Sequence, residues 1–513
     1  MTAAELLASL QFRRQFLLGP ESCAPTPHWT HRALRHGFIL SAHPDLQVVS
    51  ESRGDAVVTL LGFVLDPFKP ARTEADIVHS LTAGASDILK LISLTKPLAG
   101  RWAVIYQDPA GTFLFTDPCG FRTVFFYHDG CDVWCGSQPE IIKAKCSLRS
   151  NMDCQFLQFL NSPTLGRGES AWIGTQTVYE GCLHLLPNHY LDVNRLEQVR
   201  FFPKGTLPDL EASAVAETSR AILEGIFAGI VGRQKVTMAL TAGWDSRILL
   251  AASKHVAREV QYYLDRMGVL PEHHPDVQVP RRLAKRLGVS FITLNSDDFT
   301  PGWLSSALAA NVTGARALPK TRTICAMLLV GEERIIINGV GGEISRNNWD
   351  SGLDLDAVTS SDLVRMFWIV DHPFSVREAE RWQRGLPALD ERVNSTVLFF
   401  WEQRLGNWGA QYVAEQDIAV DTLHPYNCRL LIETLLATPR RARAAPDFPL
   451  HRQLAQAMWP EVLSVPFCHN VRPRVVTFDF GAAKERVRSY VPTPIVERMK
   501  ELTSGVRSGR SGA

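Results

Sequence analysis

No run of about 18 consecutive apolar residues occurs in this chain, so no segment reads as a membrane-spanning helix. Charge of one sign is missing as well. The 54 Lys and Arg residues against 53 Asp and Glu leave a net charge of +1, which offers no electrostatic footing for nucleic acid or a membrane surface. The ten cysteines are scattered, which points to a reducing compartment rather than a disulfide scaffold. Cys131 and Cys135 form the closest pair, but no second pair at metal-ligand spacing accompanies them. They read as buried thiols rather than zinc ligands. Arg13 and Arg14 interrupt the apolar N-terminal stretch, so no secretory leader is expected. By elimination the expected location is cytoplasmic. There is no internal repeat, and no G-x-x-x-x-G-K-[ST] phosphate loop.

The length of 513 residues exceeds one ordinary core, so two domains are expected. Residues 1–20 read as a helix on the spacing of Leu6, Leu7, Leu10, Phe12 and Phe16, ended by Gly19-Pro20. From Gly37 to Asn194 short apolar runs alternate with turn signals, among them Asp108-Pro-Ala-Gly111, Asp117-Pro-Cys-Gly120 and Asp129-Gly130. That half is strand-rich, with helices near 73–92 and 139–162, and residues 195–212 look like a linker. Beyond them, helices at 212–231, 246–256 and 276–287 alternate with apolar runs at 236–240, 260–264, 290–294 and 334–338. Such alternation predicts a parallel sheet wound with helices, whose ligands bind at the carboxyl ends of the strands. Residues 358–490 read as mostly helical, and the Gly/Ser/Arg-rich 501–513 as a disordered tail.

The most informative stretch is Lys235-Val-Thr-Met-Ala-Leu-Thr-Ala-Gly-Trp-Asp-Ser-Arg247. A β-branched run breaks at Thr241-Ala242-Gly243 and continues into a helix near Asp245-Ser246. A strand feeding a glycine turn and a helix start presents unpaired N–H groups and the positive end of a helix dipole, which is an anion site. The bland alternative is an ordinary corner with Asp245 as a helix cap. A second glycine turn, Gly339-Val-Gly-Gly-Glu343, follows the run at 334–338 and ends on an acid. Magnesium on ATP phosphates takes hard oxygen ligands, one or two of them carboxylates. Asp245 and Glu343, at the ends of two parallel strands, are therefore expected to converge on one Mg2+ ion.

The order Thr-Ala-Gly-x-Asp-Ser resembles the Ser-Gly-Gly-x-Asp-Ser pyrophosphate loop of enzymes that split ATP into AMP and pyrophosphate. With the flanking motifs, the chain resembles the asparagine-synthetase-like family, which includes β-lactam synthetases and lasso-peptide cyclases. Leu98-Ala-Gly-Arg-Trp-Ala-Val-Ile-Tyr-Gln-Asp108, Phe115-Thr-Asp-Pro-Cys-Gly-Phe-Arg122 and Gly136-Ser-Gln-Pro-Glu-Ile-Ile142 are similar to its glutaminase-type domain. Val178 to Leu191 is similar to the approach to the synthetase half. There, the loop at 241–246, Asp276, Gly339 to Glu343 and His424-Pro-Tyr-Asn-Cys-Arg429 follow in the family's order. The resemblance implies an α/β chain with a strand-rich α+β, Ntn-type glutaminase-like domain at 1–200. An ATP-pyrophosphatase (adenine nucleotide α-hydrolase-like) parallel-sheet domain with a helical extension is implied at 212–500. It further implies ATP and Mg2+ as cofactors. Leu240, Thr241, Ala242, Gly243, Trp244, Asp245, Ser246, Gly339 and Gly341 would hold the nucleotide and its pyrophosphate, and Asp245 and Glu343 the metal.

The chain departs from the family at three places. Residue 2 is Thr2 where the glutaminases start on a nucleophilic cysteine, and Leu61 stands where an amide-bearing residue holds glutamine. The N-terminal domain therefore reads as a glutaminase relic. Val340 occupies a position that takes part in the second half-reaction in relatives, and valine cannot move a proton. Phe467 stands where the family places a lysine, leaving His469, Arg472 or Arg474 as substitutes. The expected function is an AMP-forming amide ligase that joins a small-molecule or peptide carboxylate to an amine without glutamine hydrolysis. The alternative is a catalytically impaired ATP-binding scaffold of another biosynthetic enzyme. A third reading, sulfur transfer after adenylation, has no support because no Cys lies near the loop. Trp244 is either part of an acyl pocket or packing, Arg247 either touches phosphate or pairs with an acid, and His273-His274 reads as a solvated turn.

Overall fold

The structure, a computed structural model, describes residues 8–25, 28–163, 165, 171–298, 301–312, 321–331, 333–346 and 357–467. The expected tail at 501–513, Thr2, and the substitutes His469, Arg472 and Arg474 lie outside the described residues.

The N-terminal half is built on two six-stranded sheets. The first runs in the order Leu183–His184, Phe125–His128, Val133–Gly136, Phe16–Gly19, Ile39–Ala42, Thr30–Ala33. The second runs Glu197–Arg200, His189–Asp192, Gly111–Thr116, Ala99–Asp108, Ala56–Leu65, Val48–Arg53. Neighbouring strands pair antiparallel in both. Period-two alternation decides which side chains face where. Phe16, Leu18 and Leu40 of the first sheet meet Ile105, Leu114 and Leu191 of the second in one buried layer. The outer face of the second sheet (Leu60, Trp102, Val104) is covered by helices Glu74–Gly84 and Ile88–Leu94. Leu17 and Trp134, on the outer face of the first, pack on Ile141 and Phe156. The expected turns form as Asx motifs: Asp108 Oδ1 accepts from Ala110 and Gly111 N–H, and Asp129 Oδ1 from Cys131 and Asp132 N–H.

Two expectations for this half are corrected. Phe16–Gly19 is a strand in the interior of a sheet, not the end of an N-terminal helix. Its short apolar run suits a fully buried strand as well as a helix, and periodicity cannot separate the two. Residues 195–212 are not all linker, because Glu197–Arg200 pairs with His189–Asp192 as an edge strand.

The C-terminal half carries a five-stranded sheet in the order Phe291–Leu294, Val260–Asp265, Lys235–Ala239, Arg334–Ile337, Thr422–Leu423, parallel throughout. Helices cover both faces. Val236, Met238, Ile335 and Ile337 pack under Ala212–Val231, Trp244–Ala252 and Pro449–Met458. Ile336 and Tyr263 point to the other side, against Leu304–Asn311 and Thr321–Val330. The chain is thus an α/β protein with an antiparallel, strand-rich first half and a parallel-sheet second half followed by helices. Among the described residues no helix is long and apolar enough to cross a membrane.

The strand order reverses beside Lys235–Ala239: the next two strands lie on one side of it, while Arg334–Ile337 lies on the other. Outside the carboxyl ends of these two strands is the crevice where parallel α/β sheets bind ligands.

Candidate functional site

Both glycine turns follow directly on the carboxyl ends of these two strands, where such sheets bind ligands. Leu240 N–H still donates to Tyr263 O at 2.8 Å, so the ladder extends to the start of the first turn. Leu240 and Ala242 are buried, while Thr241 and Gly243 are exposed. Ser246 ties the turn together. Its Oγ accepts from Thr241 N–H at 3.0 Å and lies 2.9 Å from Thr241 Oγ1, which accepts from Gly243 N–H at 3.3 Å. Gly243 is the N-cap of helix Trp244–Ala252 and provides no side-chain cap. The first-turn N–H groups and the positive end of the helix therefore face the crevice.

The second turn packs directly on the first. A Cβ on Gly339 would lie 2.7 Å from Asp245 Cβ, and one on Gly342 would lie 2.6 Å from Asp245 Oδ1. Gly341, with φ of 98°, takes a left-handed conformation that side-chain-bearing residues rarely adopt. Glu343 turns back, its Oε2 accepting from Gly341 N–H at 3.1 Å. Asn338 Oδ1 accepts from Val340 N–H at 3.1 Å and lies 2.7 Å from His424 Nδ1. Burial pushes His424 down to about 3, so it is a neutral structural ring at ordinary pH. Two residues on, Tyr426 donates its hydroxyl to Asp245 O at 3.2 Å. The His424 to Arg429 motif thus supports the crevice from below, and Asn427 Oδ1 accepts Cys119 N–H from the first half at 2.9 Å.

Asp245 is the electrostatic centre. Its Oδ2 accepts from Arg346 Nη2 at 2.5 Å, and the two side chains are only 17% and 13% exposed. Asp245 Oδ1 and Arg346 Nε are buried without a hydrogen-bond partner. Burial pushes the Asp245 carboxyl up to about 7, against the pull of Arg346 and with the help of the Glu343 charge. The expected magnesium pair is therefore a triad, in which a guanidinium already holds one oxygen of the central carboxylate. A hard cation on Asp245 would sit against the Arg346 guanidinium, yet Asp245 Oδ1 has no partner and the Glu343 charge acts on it, so carboxylate oxygens remain that would suit a hard cation on ATP phosphates.

Four other residues singled out in the sequence pack within the fold. Trp244 is 3% exposed, stacks on Phe467 with ring centroids 3.8 Å apart, and meets Phe448 and His451 edge-on. Arg247 turns its guanidinium to backbone carbonyls behind the first turn. It donates to Val462 O at 3.3 Å and Val465 O at 2.5 Å, with its guanidinium 3.7 Å from the Phe467 ring centre. Phe467 is thus clamped between Trp244 and Arg247 rather than offered to a ligand. Val340 packs toward the apolar cluster that contains Ile344. His274 caps helix Pro275–Leu287 by accepting Asp276 N–H at 3.1 Å, and His273 is exposed, as expected for a solvated turn.

In the first half, Leu61 is wholly buried between the two sheets. Cys131 is exposed, contrary to the expectation of a buried thiol, because it sits on the Asp129-Gly130 turn; Cys135 is buried. The described cysteines are free thiols.

The sequence reading passed over Arg346, Tyr426 as a contact of Asp245, and Cys119. Cys119 Sγ comes within 3.6 Å of where a Gly341 Cβ would stand, so a cysteine distant in sequence does lie under the second turn. Burial holds its thiol well above the usual range, which leaves it without nucleophilic thiolate. Arg346 could have been singled out, since it follows the acid of the glycine turn by three residues.

No protein-family model and no curated protein sequence matches the chain. Among solved structures it is similar to a glutamine-dependent NAD+ synthetase from Acinetobacter baumannii in complex with ADP. That match has 12% identity and a TM-score of 0.19, over 45% of this chain and half (50%) of that one. It is also similar to the allosteric regulatory enzyme of purine biosynthesis, at 10% identity and a TM-score of 0.24, over 61% of this chain and 75% of that one. A third is the glutamine phosphoribosylpyrophosphate amidotransferase from B. subtilis complexed with ADP and GMP. It gives 9% identity and a TM-score of 0.22, over 67% of this chain and 73% of that one.

Proposed function

We propose that the protein is an ATP-dependent, AMP-forming amide ligase that binds the nucleotide's phosphates at the Thr241–Ser246 turn. One observation carries this reading: a helix N-terminus without a side-chain cap opens at the point where the strand order reverses, beside a second glycine turn. Adenylyl transfer asks for positioning and for stabilisation of spread negative charge. Backbone N–H groups of the turn, the Thr241 and Ser246 hydroxyls and the Arg346 guanidinium are the groups that would supply it. The adenine and ribose would lie near Leu240, Ala242, Gly339 and Gly341.

In the first half-reaction an oxygen of the substrate carboxylate attacks the α-phosphorus. The bond to the β-phosphate oxygen breaks, pyrophosphate leaves, and an acyl-adenylate remains. In the second, an amine attacks the acyl carbon, the acyl carbon–oxygen bond of the mixed anhydride breaks, AMP departs with its electron pair, and the amine loses a proton. Val340 cannot take that proton. Glutamine as ammonia source is not part of the proposal, because Leu61 fills the layer between the sheets.

A second reading, a nucleotide-binding scaffold without turnover, is favoured by Phe467. Its ring is locked between Trp244 and Arg247 where the resembling family places a lysine. Calorimetric titration of ATP in magnesium buffer tests the common ground of both. Saturable binding is expected, weakened by at least about tenfold in Ser246→Ala and Asp245→Ala, the loss expected of one charge-assisted contact. AMP release dependent on an added carboxylate then selects the ligase over the scaffold. Absence of ATP binding by the wild type would refute both.

A further inference from the structure

We infer that the first half of the chain is a positioning element for the nucleotide site, because its Asp117–Gly120 turn braces both glycine turns through Asn427 and Tyr426. This rests on the nucleotide reading above and gives the first half a task other than glutamine hydrolysis. The turn is fixed where it meets the second half. The Asp117 carboxylate, 1% exposed, accepts from Phe121 N–H at 2.9 Å and from Arg122 N–H at 2.8 Å. Gly120 N–H closes the turn on Asp117 O at 2.9 Å. Cys119 therefore meets the second half in two places. Its N–H donates to Asn427 Oδ1 at 2.9 Å, and its Sγ lies 3.6 Å from where a Gly341 Cβ would stand. Asn427 is wholly buried and donates Nδ2 to Gly100 O at 2.8 Å, so both ends of its amide are bonded to the first half.

Tyr426, the neighbour of Asn427 in the chain, carries the brace to the site. It is 2% exposed, and its hydroxyl donates to Asp245 O at 3.2 Å. Its ring also supports the second turn. Tyr426 Cβ lies 3.5 Å from the Cβ position of Gly341, and Cε2 lies 3.0 Å from that of Gly342. One side chain thus touches both turns, and the residue beside it is tied to the first half. Contacts this close leave the turns little room to move independently. A preorganised phosphate site depends on such support, since small displacements of its groups are costly.

Tyr426→Phe and Cys119→Ala, singly and together in the full-length protein, test the brace. ATP is titrated by calorimetry well below the melting transition, and the melt is recorded on the same samples. Tyr426→Phe keeps the ring and loses the hydroxyl. Its ATP dissociation constant is expected to rise about three- to tenfold, the range of one lost neutral hydrogen bond. Cys119→Ala lies in the other half of the chain and is expected to raise it by about threefold or more through the loosened second turn. Because both side chains rest on Gly341, the double variant is expected to lose less than the product of the two. Should Cys119→Ala unfold the protein, Cys119→Ser takes its place in the same cycle. A lowered melting temperature with unchanged ATP affinity would show a purely structural role and overturn the inference. Effects that simply multiply would also overturn it, since the two residues would then act separately. Absence of ATP binding by the wild type would instead refute the nucleotide reading, and the brace with it.

Discussion

The indole of Trp244 stacks on Phe467 and is edged by Phe448 and His451, with only 3% of its surface exposed. In sequence it stood between two readings, an acyl-pocket wall and a packed corner, because its neighbours arrive from more than two hundred positions further along. The contacts make it packing. Trp244→Ala is therefore expected to cost about 3–5 kcal/mol, the usual range for emptying a buried aromatic site. A urea transition whose midpoint moves while its slope stays constant would show it; an unchanged midpoint would contradict the packing role. Arg247 and Phe467 belong to the same knot. Their chemistry is spent on tethering the chain at Val462 and Val465 to the helix behind the first turn.

At the scale of elements, the parallel half was legible. The helices and strands expected from 212 to 294 appear within a few residues of their observed ends, as do Arg334–Ile337 and the two glycine turns. Local patterning suffices there, since buried parallel strands are continuous apolar runs and the helices between them carry their own periodicity. Phe16–Gly19 was misread because four apolar residues carry no period of their own. The close approach of the two turns yields a prediction at this scale. Gly342→Ala would place a methyl group 2.6 Å from Asp245 Oδ1 if nothing moved, so the carboxylate must shift away. ATP affinity is expected to fall by about tenfold or more, a displacement effect on a preorganised site. The melting temperature should fall only slightly, because Gly342, unlike Gly341, has no positive φ. Titration calorimetry beside a thermal melt separates the two effects, and unchanged affinity would show that the turns are not coupled through this contact.

The two halves share apolar cores, and a buried ionic cluster joins them as well. Arg101, from the second antiparallel sheet, grips both oxygens of Asp417 at 2.6 and 2.7 Å, and Arg122 reaches the same carboxylate at 3.4 Å. Arg14 adds a bond to Asp417 O at 2.6 Å. Removing one partner of such a pair leaves an uncompensated charge, at a cost of about 3–5 kcal/mol. Arg101→Ala is expected to lower the melting temperature and to split one calorimetric transition into two as the halves uncouple. A single unshifted peak would mean that other contacts hold the interface.

The sequence by itself determined what neighbours along the chain can specify: apolar runs, glycine turns, helix starts, and the acids that end both turns. From these came the two-part α/β architecture and the place of the crevice. Only the tertiary structure decided what those acids meet. Arg346 and Tyr426 reach Asp245 across 101 and 181 residues of sequence, and Cys119 arrives from the other half altogether. No periodicity reports such contacts, because they are set by how sheets and helices pack rather than by any single segment.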